Sequence, residues 1–295
     1  MIQLLRAITF PDWISDTIFS IGPISVKWYG LGYIAGLFLA LFYARRTCAK
    51  SEIWTVSNPD AKPALIPSAQ TLEDFMFYCL LGIIIGGRLG SILLYSNPME
   101  YIADPIRILK TWEGGMAFHG GFAGVCLATL YIAKKRNIPL MRMADLAAIS
   151  APIGLFLVRL ANFANQELYG RITDVAWAVR FKTDPAGYPR HPSQLYEAFL
   201  EGAVIFSVLW LTSRKFKALT KPGLSTGLFL VMYGSFRIFI ENFREPDPIP
   251  QFGALTRGMA YSLPMLIIGL AVVLWAIKRP AVAPSRPKEP RDENA

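Results

Sequence analysis

The chain has 295 residues, of which 53% are hydrophobic and 17% charged, and its mean hydropathy is +0.37. Soluble domains average about 25% charged residues, so the composition excludes an ordinary soluble protein and indicates a membrane protein. The formal net charge of +9 would suit a protein that binds nucleic acid. However, the basic residues cluster at the ends of apolar runs, where anchoring to anionic lipid headgroups explains them, and we predict no nucleic-acid partner.

Seven apolar runs approach the roughly 20 residues that a helix needs to cross a hydrocarbon core. They lie at 20–43, 72–95, 116–133, 143–160, 195–213, 223–243 and 258–277. We therefore predict an all-α polytopic membrane protein with seven transmembrane helices, or six if the short run at 143–160 does not span. The first residues lack a basic start and a small-residue cleavage site, so the first run is predicted to be an uncleaved anchor.

The basic residues also predict the orientation. One set of loops carries 17 of the 30 lysines and arginines, and the opposite set carries nine. Loops rich in lysine and arginine face the cytoplasm, so the N-terminus is predicted outside and the C-terminus in the cytoplasm. The basic set consists of 44–71, 134–142, 214–222 and the residues from 278 onward.

The seven runs are predicted to form one domain over residues 1–280. The loop at about 161–192 is the largest extracytoplasmic piece and is predicted to be a small periplasmic head, with a short strand in the alternating stretch 175–181. The proline-rich loop 51–68 is predicted to be a mobile connector. Residues 281–295 are rich in proline and charge and are predicted to be a disordered cytoplasmic tail.

An arginine, Arg159, lies inside the fourth apolar run. An arginine at membrane depth costs about 2.5–3.5 kcal/mol, so it normally faces a polar cavity and an anionic partner. Asn162 and Gln166 follow at i+3 and i+7 and are predicted to share its helix face. Polar residues on one face of a membrane helix predict that this segment lines a site.

A second polar face lies in the sixth run, where Tyr233, Arg237 and Glu241 are spaced i, i+4 and i+8. One interpretation is that each arginine pairs with a glutamate and only holds helices together. Two arginines at similar depth on separate spans instead favour a cavity that binds phosphate. We prefer the phosphate interpretation and keep the structural one as its alternative.

His119 opens the sequence His119-Gly120-Gly121 early in the third run. An imidazole takes up a proton near neutral pH, so His119 is a candidate general base. The alternative is a packing histidine that donates to a backbone carbonyl. His191 precedes a proline at the start of the fifth run and is predicted to be structural.

Two further motifs have simpler interpretations. The glycines around Arg88, at positions 86, 87 and 90, only superficially resemble a nucleotide loop, because they lie on a predicted membrane helix and not after a strand. They predict close helix packing. Tyr29, beside Trp28 at the outer end of the first run, is a candidate site residue, but an interfacial aromatic belt alone also explains it.

Together these residues resemble the prolipoprotein diacylglyceryl transferase family of bacterial inner membranes. The resemblance is carried by Trp28-Tyr29-Gly30, His119-Gly120-Gly121, residues 159–171, residues 191–197 and residues 237–247. It implies a seven-span fold with its N-terminus outside and a small periplasmic head. It also implies transfer of an sn-1,2-diacylglyceryl group from phosphatidylglycerol to the lipobox cysteine thiol of prolipoprotein signal peptides, giving a thioether and glycerol phosphate. The implied location is the inner (cytoplasmic) membrane, and no cofactor is implied.

The resemblance also implies roles for individual residues. Arg159 and Arg237 would bind the phosphate and stabilise its developing charge, and His119 would deprotonate the thiol; a thiolate stabilised by the arginines alone is the alternative. The expected substrate-binding residues are Tyr29, Asn162, Glu167, Gly170, Tyr233 and Glu241, with Glu241 also holding Arg237 in position. No metal site is expected, since the cysteines are scattered at Cys48, Cys79 and Cys126.

The same residues allow two rival functions. In a transporter or channel for an anionic lipid or metabolite, the arginines would form a selectivity site. The lack of a clear internal repeat counts against it. A signal peptidase for lipoproteins would need a pair of aspartates at membrane depth, and Asp145 has no obvious aspartate partner in the sequence.

Overall fold

The chain is predominantly helical in a computed structural model that describes residues 7–15, 17–21, 24–96, 98–110, 115–245 and 255–285. The helices are α1 (Trp28–Ala49), α2 (Ser51–Trp54), α3 (Ala69–Tyr95), α4 (Pro98–Ala103), α5 (Phe118–Lys135), α6 (Leu140–Ala164), α7 (Ser193–Lys215), α8 (Leu224–Ile240) and α9 (Arg257–Lys278). The strands are β1 (Ile8–Thr9), β2 (Thr17–Ile21), β3 (Ile24–Lys27), β4 (Pro63–Leu65), β5 (Val179–Arg180) and β6 (Ala283–Ser285). Short 3₁₀ turns lie at Pro105–Ile108 and Ala218–Thr220.

Each of the seven predicted apolar runs overlaps a long helix of the described chain. In the part of the chain that the structure describes, four helical segments are long and apolar enough to cross a membrane, namely Ala69–Leu93, Leu140–Ala164, Ser193–Lys215 and Gly258–Lys278. The run at 143–160, the doubtful one, lies inside the 25-residue helix α6 and is among these four. Helix α8 is apolar but shorter. The fold is that of a helical membrane protein.

The predicted first span is wrong over its beginning. Within the run 20–43, residues 20–21 and 24–27 belong to an antiparallel hairpin of β2 and β3, in which Thr17 pairs with Lys27 and Ile21 with Ile24. The two strands are rich in β-branched residues, which favour extended backbone. Apolar character alone did not distinguish these strands from the helix that follows them.

The chain divides into two compact units. The first contains residues 1–44 and 145–280, and the second contains residues 45–144 and 281–295. The single domain predicted over 1–280 therefore covers the whole of the first unit and residues 45–144 of the second.

In the second unit, glycines allow α3 and α5 to approach closely. A Cβ atom on Gly90 would lie 2.8 Å from the Gly120 Cα, and one on Gly82 would lie 2.6 Å from the Gly124 carbonyl carbon. Arg88, between these glycines, turns to the segment before α5 and donates to the carbonyls of Ile108, at 2.9 Å, and Gly115, at 3.2 Å. The predicted close packing around residues 86–90 is confirmed.

The loop 51–68, predicted to be a mobile connector, contains two short elements of regular structure. It contains α2, whose Trp54 is 1% exposed, and β4, which pairs in parallel with β6. Arg142 lies over the Trp54 ring, 5.1 Å from its centroid, and donates to the Leu65 carbonyl at 3.2 Å. The strand β6 also includes part of the predicted tail, whose residues 286–295 lie outside the described structure.

In the first unit, β1 runs parallel to β5, pairing Ile8 with Val179 and Thr9 with Arg180. The strand predicted over 175–181 is thus confined to two residues, since the chain turns at 176–177. Phe10 and Phe181 are buried between these strands and the end of α6, and their ring centroids lie 5.9 Å apart. This aromatic cluster attaches the N-terminal segment to the 165–192 loop.

The role of Asp145 is structural. One of its carboxylate oxygens accepts from the Gly223 backbone N–H at 2.7 Å, and the other accepts from the Thr226 backbone N–H at 2.8 Å and hydroxyl at 2.7 Å. A carboxylate in this position satisfies donors that the start of a helix leaves unpaired. Asp145 therefore caps α8, which explains an acidic residue at the end of an apolar run.

Candidate functional site

Three arginines converge on one fully buried carboxylate, Glu197. Its Oε1 accepts from Arg237 Nη1 at 2.6 Å and from Arg244 Nη1 at 2.8 Å. Its Oε2 lies 3.0 Å from Arg159 Nε, an ion pair whose angle is too bent for a hydrogen bond. The Glu197 side chain is 0% exposed, and the arginine side chains are 12–18% exposed. The cluster is sheltered, and only its cationic groups reach a surface.

Three helix ends supply these residues. Arg159 lies five residues before the end of α6, Arg237 lies in the last turn of α8, and Arg244 follows that helix. Glu197 lies in the first turns of α7, just before that helix widens into a π-helical segment at Ala198–Val204. Arg159 and Arg237 were both predicted from the sequence, and the structure brings them onto the same carboxylate.

The expected partner of Arg237 requires correction. Glu241 was expected to hold this guanidinium, but its Oε2 lies 3.6 Å from Arg237 Nη2 and 3.6 Å from Arg244 Nε. Glu197 approaches Arg237 a full ångström closer. Glu241 directly follows Ile240, the last helical residue, and its carboxylate lies at the same distance from both arginines. Its role is therefore shared between them.

Glu197, Glu201 and Arg244 were not among the predicted site residues. The two glutamates are spaced i, i+4 inside the fifth apolar run, and acidic residues at membrane depth are as costly and as informative as arginines. That signal was available in the sequence. Arg244 lies just beyond the sixth apolar run, and its position in the cluster depends on where α8 ends.

Asn162 and Glu167 form one hydrogen-bonded pair beside Arg159. Asn162 Nδ2 donates to Glu167 Oε1 at 2.7 Å, and Asn162 Oδ1 accepts a long bond of 3.5 Å from Arg159 Nη1. Asn165 also donates to Glu167, at 3.3 Å. The predicted neighbours Arg159, Asn162 and Glu167 therefore lie together.

The expectation that Gln166 shares the helix face of Arg159 is wrong. Helix α6 ends at Ala164, and Gln166 takes a left-handed conformation with φ 55°. Its Oε1 then accepts from the Lys182 backbone N–H at 2.7 Å, in the loop that follows. Helical periodicity does not extend past the end of the helix.

Gly170 is a point of close approach between three chain segments. Its N–H donates to the His191 carbonyl at 2.9 Å, and a Cβ atom there would lie 2.8 Å from the His191 Cβ and would overlap the Phe243 carbonyl. Glycine is thus required by packing at this position. The contacts hold the segment after Glu167 against the residues that lead into α7 and out of α8.

The two predicted tyrosines lie in the same unit as the arginines. The Tyr29 hydroxyl shares a hydrogen bond of 2.9 Å with the Tyr33 hydroxyl one turn along α1. The Tyr233 ring stacks on Phe229, with a centroid distance of 5.7 Å. Tyr233 is close enough to interact electrostatically with Arg159 and Arg237.

His119 is the one predicted site residue that belongs to the second unit. It is the second residue of α5 and is exposed. The adjacent Gly120 lies against α3, 2.8 Å from the position of a Cβ atom on Gly90. The histidine is therefore carried by a closely packed helix pair, on an element other than those that hold the arginines.

A second ionic group lies in the loop before α7. Arg190 donates from Nε to Asp184 at 2.6 Å and from Nη1 to Glu245 at 2.8 Å. The hydrogen bond from Arg190 holds the pKa of Asp184 below its ordinary value. Burial lowers the pKa of the neighbouring His191, whose Nδ1 lies 3.1 Å from the Tyr196 hydroxyl. His191 thus has the structural surroundings that were predicted for it.

The arginines of the cluster keep donors for a ligand. A guanidinium carries five N–H donors, and toward the described residues Arg237 uses one of them, in its short bond to Glu197. Arg159 reaches Asn162 and Glu201 only at 3.5 Å each, the upper limit of a hydrogen bond. Two partly satisfied guanidinium groups on different helices suit a tetrahedral anion such as phosphate.

Comparison with known proteins identifies the family. The family model described as prolipoprotein diacylglyceryl transferase matches residues 16–275. A relative from Brucella anthropi is 45% identical over 92% of this chain and 94% of its own length. Relatives from Rickettsia felis and Methylocella silvestris are 48% and 44% identical, over 88% and 91% of this chain and 96% of their own lengths.

All three relatives are named phosphatidylglycerol–prolipoprotein diacylglyceryl transferase. The family model covers most of the chain, including the segments that carry Glu197 and its three arginines. The chain belongs to the prolipoprotein diacylglyceryl transferase family.

Proposed function

We propose that this protein is a transferase that moves a diacylglyceryl group from phosphatidylglycerol to prolipoprotein, as the names of its relatives state for them. In finer detail, the acceptor is the lipobox cysteine thiol that follows the signal peptide. The single observation that carries the proposal is the convergence of Arg159 and Arg237 at Glu197. It provides two cationic groups for the phosphate that the lipid donor must lose.

The reaction breaks the bond between the diacylglyceryl carbon and a phosphate oxygen. The cysteine sulfur forms the new carbon–sulfur bond, and glycerol phosphate leaves with the bridging oxygen and the bonding electrons. Negative charge therefore grows on the phosphate in the transition state. Arg159 and Arg237 stabilise that charge in a sheltered site, where fixed donors are more effective than in water.

The attacking sulfur must first lose its proton, since a free cysteine has a pKa of about 8.5 and only its thiolate is the nucleophile. His119 is the proposed base. Tyr29, Asn162 and Tyr233 are proposed to bind the glycerol headgroup. Glu167 positions Asn162 through their 2.7 Å bond. Gly170 acts by allowing the chain segments around it to meet, and Glu241 by supporting Arg237 and Arg244.

The membrane arrangement that accompanies this function is also a proposal. Seven spans place the N-terminus outside and the C-terminus in the cytoplasm, with residues 161–192 as a periplasmic head and the tail 281–295 inside. The excess of lysine and arginine in one set of loops supports this orientation. The location is the bacterial inner membrane, where both the lipid donor and a secreted prolipoprotein are accessible.

The function is tested by incubating the purified protein with phosphatidylglycerol and a lipobox peptide and weighing the peptide. A mass gain of one diacylglyceryl group is expected, and a peptide with serine in place of the lipobox cysteine should stay unmodified. Lipid or ion flux through reconstituted vesicles without peptide modification would instead identify a transporter.

A further inference from the structure

Glu201 is a fully buried acid that the proposed chemistry does not use. Its side chain is 0% exposed, and it lies in the π-helical segment of α7, one turn beyond Glu197. Its Oε2 receives one bond of 3.5 Å from Arg159, and among the described residues its Oε1 has no hydrogen-bond partner. Buried carboxylates normally accept several hydrogen bonds, so this group is poorly stabilised in its charged form. π-Helical segments occur frequently at functional sites.

The charges around Glu201 come from three parts of the fold. Arg159 approaches from α6, Tyr233 and Arg237 from α8, Arg244 from the segment after α8, and Glu197 from its own helix. Counted with Glu241, the described cluster has three guanidinium and three carboxylate groups. When all six are ionised their formal charges sum to zero, and the cluster has no net positive charge to attract an incoming anion.

The three carboxylates are not equally bound. Glu197 contacts all three arginines at 3.0 Å or less, and Glu241 contacts two at 3.6 Å. Among the described residues, Glu201 contacts a single arginine, Arg159, at 3.5 Å. A phosphodiester that enters this sheltered site adds a negative charge next to that weakly bound carboxylate. Like charges in a site of low polarity favour the neutral form of one of them.

We propose that Glu201 takes up one proton from solvent when the anionic phosphate of the lipid binds to Arg159 and Arg237. The carboxylate and the proton form a carboxylic acid, and the proton returns to solvent when the anion leaves. Neutral Glu201 releases Arg159, whose Nη2 becomes available to the phosphate. Glu201 is thus a positioning residue that couples anion binding to protonation, an inference that rests on the proposed phosphate site.

The coupling predicts how affinity depends on pH. Over the pH interval in which Glu201 is charged without the lipid and neutral with it, the Kd for phosphatidylglycerol rises up to tenfold per pH unit, because each binding event requires one proton. Glu201→Gln imitates the neutral acid. Its Kd should be independent of pH over that interval and should equal the tight value that the wild type reaches at low pH.

The test measures binding of short-chain phosphatidylglycerol to the full-length protein in detergent from pH 5 to 9. Glu245→Gln is the matched control, since its side chain is 52% exposed, pairs with Arg190 and lies outside the cluster. This control and His119→Gln should both keep the wild-type slope. A pH-independent wild-type Kd, an unchanged slope in Glu201→Gln, or a slope lost in His119→Gln would each overturn the proposal.

A second measurement does not depend on a variant. Titration of wild type with the same lipid in two buffers of different ionisation enthalpy counts the protons taken up. One proton per lipid supports the coupling, and none contradicts it. The peptide-mass assay remains separate: transfer with no proton uptake would leave the transferase function standing and remove only the role of Glu201. Proton-linked binding without transfer would leave the role of Glu201 standing and remove the transferase function.

Discussion

Arg237 is bound more closely by Glu197, 40 positions away in the sequence, than by Glu241, one helical turn further along the chain. The two distances are 2.6 Å and 3.6 Å. The long-range bond joins the end of α8 to the beginning of α7, and Glu197 joins the same point to Arg159 on α6. One buried carboxylate therefore sets the position of both proposed phosphate-binding groups.

Replacing Arg159 or Arg237 by lysine should slow transfer at least tenfold, about 1.4 kcal/mol of transition-state stabilisation. Lysine keeps the charge but loses the planar set of donors that lets one side chain contact Glu197 and a phosphate together. The rate of peptide modification is the measurement. Arg45→Lys is the control, because this arginine forms an exposed ion pair with Glu73 and is not one of the three arginines at Glu197. Full activity in both site variants would remove the phosphate role.

His119→Gln should abolish the acid limb of the pH–rate profile, because glutamine does not titrate. If His119 is the base, the wild-type rate falls as the pH drops and the imidazole becomes protonated. Phosphatidylglycerol binding should persist in the variant, since the arginines remain. The measurement is rate against pH, normalised to folded protein. An acid limb that survives in the variant would exclude His119 as the titrating base and favour a thiolate stabilised by the arginines.

The ion pair between Asp184 and Arg190 should make the thermal stability of the protein depend on pH in the acid range. Arg190 holds the pKa of Asp184 below its ordinary value of 3.8, so the stabilisation is present above that value and is lost as the pH falls through the lower, folded pKa. Asp184→Asn should lower the thermal midpoint at pH 7 and flatten its decline in acid.

Asp12→Asn is the matched control for this pair. The pKa of Asp12 is also lowered, by its hydrogen bond with Lys182, but its side chain is 95% exposed and solvent screens the interaction. Its effect on the thermal midpoint should be small. Equal effects of the two variants would show that burial of the Asp184 pair is unimportant.

Gly120→Ala should destabilise the protein by about 1–3 kcal/mol, as overpacking does elsewhere. The added Cβ atom would overlap the Gly86 carbonyl, which is backbone and cannot rotate away. Gly121→Ala is the control on the same helix, since its Cβ atom would meet nothing closer than 3.7 Å. Thermal unfolding in detergent compares the two. A Gly120 variant as stable as the Gly121 variant would contradict the close packing of α3 and α5.

The proposed orientation predicts the behaviour of reporter fusions. A reporter that functions only in the cytoplasm should be active when fused at Ala295. A reporter that functions only in the periplasm should be active when inserted after Gly187. The distribution of lysines and arginines is the physical reason. Periplasmic activity from the fusion at Ala295 would overturn the topology.

Much of the fold was predictable because membrane helices leave a strong local signal. Runs of about 20 apolar residues have few alternatives to a helix, and each predicted run overlaps one. Arg159 and Arg237 were recognisable for the same reason, since charge is rare and costly in such runs. The boundaries were less predictable: β2 and β3 are apolar enough to look like the start of α1.

The partners within the site were decided by tertiary structure. Sequence spacing suggested that Glu241 holds Arg237 and that Gln166 lies beside Arg159, because helical periodicity relates neighbours on one element. Where α6 and α8 end, that periodicity stops, and contacts between elements take over: Gln166 turns to Lys182 and Arg237 to Glu197. The sequence by itself determined which costly charges the membrane segments carry, and only the packing of α6, α7 and α8 decided which of those charges meet.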